Sequence, residues 1–381
     1  MRGGFFYTRS VSFREFLGNT ATVTRLRESV AAERVPPSMI LAGPRGAGKY
    51  TLALMLARAV NCRGGPDGGP IETDGLPDFC GRCLNCVKIG EAANLDEKVA
   101  EAVDAREDLR EVDKKETRIL IQTHPDVLVI PPDPPQLLIK MGQVRQVIHA
   151  AYYRPPVEAR RTFFIFTSAA FMKEAANSLL KVLEEPPAYA TLILLAENPQ
   201  ELLPTIRSRA VVHRLGALPS AELETLLGAR RPELKPADRA LVARLAEGAV
   251  GRALGFDLNA WLQSRQDALI LLRTALREPD YSALFRATET YRAGAEGQEK
   301  TTNLMRALGS LFEDLLLTHA GTPQLVRNID MASELGQLAQ SISMDWLDGA
   351  AYALGQVQSG MRRNLLRSLS LDAMVLSLGE R

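Results

Sequence analysis

Short, wholly apolar runs recur through the first half of the chain, each bounded by turn-forming or charged residues. Residues 38–42 read SMILA, 126–130 DVLVI, 162–166 TFFIF and 191–196 TLILLA. Runs of this length without polar alternation suit strands buried on both faces. The helical periodicities between them, at 141–151 and 171–183, supply the covering layers. Strands alternating with helices predict an α/β fold with a parallel sheet, and a ligand site at the carboxyl ends of its strands. Beyond about residue 215 the strand pattern stops. Residues 215–258 read as short helices divided by Gly and Pro, with Pro236 in a first turn and Gly248 at a helix end. From 259 onward every long stretch, such as WLQSRQDALILLRTAL, has helical spacing. The expected division is an α/β domain over 1–214, a small helical domain over 215–258 and an all-helical domain over 259–381.

The first apolar run leads into GPRGAGKY, Gly43 to Tyr50. A phosphate-cradling loop reads Gly, four residues, Gly-Lys and then Ser or Thr, between a strand and a helix. Gly43, Gly46, Gly48 and Lys49 fit, and Leu52, Ala53, Leu56, Ala57 and Val60 continue at helical spacing. Tyr50 stands where the small hydroxyl should hold magnesium. Phosphoryl chemistry also needs a carboxylate at the end of a second strand. TFFIF is instead followed by Thr167 and Ser168, and the next acid, Glu174, falls inside the following helix. Two losses together argue against ATP turnover, while nucleotide binding through Lys49 without hydrolysis stays open.

The chain has four cysteines, all in one stretch: Cys62, Cys80, Cys83 and Cys86, the last three as CGRCLNC. In a reducing compartment such crowding points to metal before disulfide. Four thiolates suit tetrahedral zinc, and the Gly- and Pro-rich loop between Cys62 and Cys80 allows the chain to fold back. With sulfur at every position the zinc is expected to be structural. Free surface thiols are the plain alternative, and a redox pair leaves two cysteines unexplained. The histidines (His124, His149, His213, His319) are scattered.

Charge refines the picture. Across 381 residues, 46 basic and 45 acidic side chains leave a net +1. A protein that grips DNA unaided carries a basic excess, so any nucleic acid is expected to be met within a larger assembly. No apolar run approaches the roughly 20 residues that span a bilayer, and the first residues lack the long apolar core of a secretory signal. The cytoplasm is the expected location, without a membrane partner. Residues 90–117 are highly charged and read as an exposed helical insertion or a mobile loop.

Several segments carry a resemblance. NSLLKVLEEPPAYATLILLAENPQELLPTIRSRA (177–210) is similar to the most distinctive segment of bacterial DNA polymerase III clamp-loader subunits, AAA+ proteins that place the ring-shaped sliding clamp on primed DNA. HPDV (124–127), IKMGQVRQVI (139–148) and GRAL (251–254) fit the same family. The cysteine stretch resembles its zinc module, here 62–88, with an unusually long first spacing. The resemblance covers about 12–255, while the C-terminal helices match a collar domain only in length and helicity. It implies a P-loop AAA+ domain, a helical lid and a helical collar that joins a ring. Within the family, gamma/tau-type subunits keep an intact loop and an Asp-Glu pair, whereas delta-prime-type subunits lack one or both and act as stators. Tyr50 and FTSAA make this chain resemble the delta-prime type.

The resemblance also implies partners and roles. The partners are gamma/tau and delta subunits, with the sliding clamp and primed DNA reached through the assembly. Arg209, in Ser208-Arg209-Ala210 where the family has Ser-Arg-Cys, is implied to be an arginine finger acting on a neighbour's ATP. A surface ion pair is the bland alternative, and Arg207 is a confounder. Arg252 matches a phosphate-sensing position, with packing at a helix start as the other reading. Asn198 matches a polar sensor, although Glu197 before it departs from the pattern. An active gamma/tau-type motor is the runner-up. A generic nucleotide kinase leaves the cysteines and LLKVLEEPP unexplained, and a zinc-ribbon nucleic-acid binder does not suit the near-neutral charge.

Overall fold

Each apolar run in the first half of the chain forms a strand; Ile121–His124 and Val211–Arg214 extend the same sheet, and Ile71–Thr73 and Leu76–Asp78 form a separate hairpin. The computed structural model describes residues 12–110, 113–114, 117–134, 136–153, 156–276, 281–291, 295–361 and 367–379. In chain order the elements begin α1 (Thr20–Ala31), β1 (Ser38–Ala42), α2 (Lys49–Asn61), the hairpin β2 (Ile71–Thr73) and β3 (Leu76–Asp78), α3 (Leu84–Gly90) and α4 (Leu95–Glu107). They continue as β4 (Ile121–His124), β5 (Val127–Ile130), α5 (Met141–Tyr153), β6 (Thr162–Phe166), α6 (Lys173–Glu184), β7 (Ala190–Ala196), α7 (Pro204–Arg207) and β8 (Val211–Arg214). Helices follow: α8 (Ser220–Arg230), α9 (Pro236–Leu245), α10 (Val250–Leu254), α11 (Leu258–Leu276), α12 (Ser282–Glu289), α13 (Ala295–His319), α14 (Ala332–Gln340), α15 (Met344–Met361) and α16 (Arg367–Gly379).

Two compact units result. The first comprises Met1–Pro219 with Gly248–Gly255, and the second Ser220–Glu247 with Phe256–Arg381. Residues 215–258 are thus shared between them, with α10 in the first unit and α8 and α9 in the second.

The sheet of the first unit has the order β4-β5-β6-β7-β1-β8, and all its pairings are parallel except β4 with β5. Side chains alternate cleanly between its faces, as the strand period requires. Met39, Leu41, Phe163, Ile165, Ile193 and Leu195 pack with α1, α2 and α3. Ile40, Ala42, Phe164, Phe166, Leu192 and Leu194 pack with α5, α6 and α7. Burial on both faces is why these runs carry no polar alternation. β4 and β8 escape the hydrophobic pattern because they are edges. β8 exposes Val211, Val212 and Arg214, and β4 mixes buried Ile121 and His124 with exposed Gln122.

The charged stretch from residue 90 forms α4 among its described residues. Leu95, Val99, Ala102 and Val103 pack against the core, and Arg106 Nη1 lies 2.6 Å from the fully buried Asp133, which Lys140 also approaches at 3.2 Å. A packed helix with a solvated outer face therefore replaces the mobile-loop alternative, and residues 111–112 and 115–116 lie outside the described set.

The second unit is helical throughout its described residues. Leu241 and Leu245 of α9 share one core with Trp261, Leu272, Leu304, Leu311, Leu335 and Leu371. Its main polar anchor is Asp314 on α13, fully buried, which accepts the backbone N–H groups of Arg327 and Asn328 at 2.7 and 2.8 Å. No described helix is long and apolar enough to cross a membrane.

Phe164 is fully buried at the sheet centre, so Phe164→Ala should cost about 3–5 kcal/mol. Val157, 80% exposed, should change stability by no more than about 0.5 kcal/mol as Val157→Ala. Urea unfolding followed by circular dichroism measures both.

Candidate functional site: a closed phosphate loop, a cysteine cluster and a remote arginine

The loop Gly43–Lys49 joins the carboxyl end of β1 to the amino end of α2. Gly46 and Gly48 have φ of +84° and +87°, a region that side-chain-bearing residues rarely enter. Space forbids substitution too: a Cβ on Gly48 would lie 2.9 Å from the Phe16 ring, and one on Gly46 would lie 2.9 Å from the Arg252 backbone nitrogen. The structure therefore brings Arg252 to the loop, through the backbone of α10. Gly251 N–H donates to the Gly46 carbonyl at 2.8 Å.

Lys49 is turned onto its own loop, donating to the carbonyls of Gly43 and Pro44 at 2.6 and 2.9 Å. Burial lowers its pKa, and the carboxylates of Glu197 and Glu201 pull the other way. Beside the loop, Glu15, Phe16, Leu17, Ala47, Gly48, Thr51 and Val250 enclose a cavity of about 20 Å³, room for about one water molecule.

Tyr50 is not presented to this loop. Its hydroxyl donates to the Ala92 carbonyl at 2.6 Å, just beyond α3, and burial raises its pKa well above the ordinary phenol value. The consensus-breaking side chain thus ties the first turn of α2 to the cysteine segment. At the end of β6, Thr167 N–H donates to Ile130 O at 3.1 Å, and Ser168 Oγ accepts Ala170 N–H at 3.0 Å. Thr167 thus extends the ladder to β5, and Ser168 serves the local turn. Glu174 lies in the first turn of α6, and Asn198 caps the turn after β7, accepting Gln200 N–H at 3.0 Å.

The four cysteines converge. One sulfur from each of Cys62, Cys80, Cys83 and Cys86 lies within 4.8 Å of the other three. Backbone N–H groups of Gly64 and Cys80 point at the Cys62 sulfur, at 3.4 and 3.3 Å. The Cys86 thiol hydrogen-bonds to Cys62, and this, helped by those N–H groups, pulls Cys62 down to about 4. The same hydrogen bond pushes Cys86 up. Four soft donors at mutual reach, with backbone N–H groups turned toward Cys62, fit a tetrahedral thiophilic cation.

A buried polar chain that no sequence pattern announces anchors this cluster to the sheet. Asn85, between Cys83 and Cys86, donates to Asn61 O at 2.8 Å, and its Oδ1 lies 3.2 Å from His124 Nε2. His124 Nδ1 accepts Asp126 N–H at 3.0 Å, so Nε2 carries the proton and donates. Burial holds His124 below its ordinary pKa, keeping it neutral. Asp126 in turn accepts the N–H groups of Val157, Glu158 and Ala159 at 2.7–2.9 Å. Polar residues inside CLNC and HPDV were the available signal.

Arg209 lies elsewhere. The register sets Met39 beside Val211, so Arg209 precedes β8 at the amino edge of the sheet, whereas Gly43 leaves β1 at the carboxyl edge. Arg209 lines an open cavity of about 560 Å³ with Pro37, Leu183, Glu184, Pro186 and Ser208. Arg207 is engaged separately, with Gln200.

Comparison with known proteins agrees with this layout. The family model described as DNA polymerase III, delta subunit, matches residues 18–219. The chain is 30% identical over 220 residues to DNA polymerase III subunit gamma/tau of Mycobacterium bovis, covering 58% of this chain and 31% of that protein. It is equally 30% identical over 224 residues to subunit delta' of Escherichia coli, covering 58% and 63%. With subunit tau of Escherichia coli it shares 26% identity over 314 residues, covering 81% of this chain and 38% of the relative. The chain thus spans less than two thirds of each relative's length. With the family model matched over more than half of its residues, this chain belongs to the DNA polymerase III delta-subunit family of AAA+ clamp-loader proteins.

Proposed function

We propose that the chain is a delta-prime-like stator of the bacterial clamp loader, with weak or absent ATPase of its own, and that it supplies Arg209 to the ATP site of a neighbouring gamma/tau-type subunit. One observation carries the reading. Arg209 and the loop Gly43–Lys49 lie at opposite edges of the same parallel sheet. The five residues of β1 that separate them span roughly 16 Å, beyond the reach of an arginine side chain. An arginine there serves a site outside its own chain or serves none. Supplied in trans, its guanidinium offsets charge on the transferring phosphoryl group, an effect worth on the order of 10³ or more in rate.

Idleness of the chain's own site follows from several features acting together. Lys49 is satisfied by loop carbonyls, Tyr50 is committed to Ala92, and no carboxylate follows β6 at Thr167 and Ser168. In this reading Cys62, Cys80, Cys83 and Cys86 hold one structural zinc ion, with sulfur at all four positions. Residues 215–258 act as lid and 259–381 as collar. Gamma/tau and delta subunits are direct partners, and the clamp and primed DNA are met through the assembly.

An ATP-hydrolysing gamma/tau-type motor is the second reading, favoured by the alignment with the Escherichia coli tau subunit over 81% of this chain. The two readings part on turnover. The isolated chain should be silent, and Arg209→Ala should slow hydrolysis at the adjoining gamma/tau site by about 10³, lowering clamp- and DNA-stimulated hydrolysis by the reconstituted loader with complex formation unchanged on gel filtration. Robust hydrolysis by the chain alone would make it a motor.

Tyr50→Thr should remain inactive, because the carboxylates are still missing, and should lower stability by about 1–3 kcal/mol through the orphaned Ala92 carbonyl, read by thermal melting. Elemental analysis of protein purified without chelator should find about one zinc per chain; finding none refutes the metal assignment.

A further inference from the structure

The guanidinium of Arg209 is held by one carboxylate. Arg209 Nε donates to Glu184 Oε1 at 2.8 Å, and Nη2 lies 2.6 Å from the same oxygen. Nη1 donates to Thr205 O at 2.9 Å and to Ser208 Oγ at 3.2 Å. Glu184 thus grips the side edge of the guanidinium, the one formed by Nε and Nη2, at the mouth of the 560 Å³ cavity that both residues line.

The position of Glu184 is itself built. It is the last residue of α6, where a carboxylate opposes the negative end of the helix dipole and needs a cation to offset it. Pro186 and Pro187 stop the helix there, and Pro187 O accepts Ala190 N–H at 2.8 Å as β7 begins. On the other side, Arg209 N–H donates to Ile206 O at 3.1 Å, beside the fully buried Ile206 side chain. Both backbones are therefore fixed, and the ion pair fixes the long side chain between them.

We propose that Glu184 is a positioning residue for Arg209, holding the guanidinium by its side edge so that its orientation toward a neighbour's polyphosphate is set in advance. The proposal rests on the reading of Arg209 as a residue that acts in trans. At this exposure the pair is worth about two- to fivefold, which bounds both the ordering it gives the arginine and its competition with phosphate. Because the carboxylate holds only the Nε–Nη2 edge, ordering outweighs competition, and removing the carboxylate slows the reaction.

The test is steady-state ATP hydrolysis by the reconstituted loader, comparing wild type with Glu184→Ala, Glu184→Gln, Arg209→Ala and the neighbouring control Glu185→Gln. Thermal melting and gel filtration check that each variant folds and assembles. Glu184→Ala should lower kcat about two- to fivefold with KM for ATP unchanged. Glu184→Gln, which keeps an acceptor for Nε, should restore most of the loss, and Glu185→Gln should match wild type. A merely structural role for Glu184 would shift melting or assembly and leave this split absent. If Arg209→Ala slows the loader but Glu184→Ala leaves kcat unchanged, or raises it, the positioning role is overturned while the trans arginine stands. If Arg209→Ala itself has no effect, the trans reading fails and the positioning role falls with it.

Discussion

The direction of the parallel sheet is the constraint on which the first unit depends. Five neighbouring strands, β5 through β8 by way of β1, run the same way, so the sheet has two chemically different edges. The carboxyl edge carries the glycine loop and the first turn of α2. The amino edge carries the start of β8, the turn after α6 and Arg209. One chain thereby presents a phosphate-type site at one end and a cation at the other, too far apart to meet. In the proposed reading, that cation serves a neighbour's site.

The same directionality explains the cysteine segment. α2 descends from the loop to Cys62 at the amino edge, and α3 packs beside it. Asn85 and His124 tie the lower end to the sheet, and Tyr50 ties the upper end to Ala92. The residue that breaks the phosphate-loop consensus is thus a structural clasp. Its loss of a magnesium hydroxyl and its gain of a hydrogen bond to the module come from one substitution.

Much of this was legible in the sequence. Strands buried on both faces show as unbroken apolar runs, and glycines with positive φ show as a fixed spacing, because sterics at those positions leave few alternatives. Convergence of the cysteines followed from their crowding. Edge strands did not show: β8, as VVHR, lacks a pattern because three of its four residues, Val211, Val212 and Arg214, face solvent. The charged segment 95–107 hid its apolar stripe of Leu95, Val99, Ala102 and Val103 among many charges. Glu184 was invisible as a partner of Arg209, since 25 residues separate them and only the β7 hairpin-free return from α6 to β8 brings them together. Pairings made by topology, not by periodicity, are what the structure adds.

The central claim is that this chain works through a neighbour's nucleotide and leaves its own loop idle. Lys49→Ala in the reconstituted loader tests it most directly, because Lys49 is the loop side chain that any bound triphosphate would need. The account predicts ATP hydrolysis and clamp loading equal to wild type. A loss of hydrolysis in a variant that folds and assembles normally would contradict it and place a working site at Gly43–Lys49.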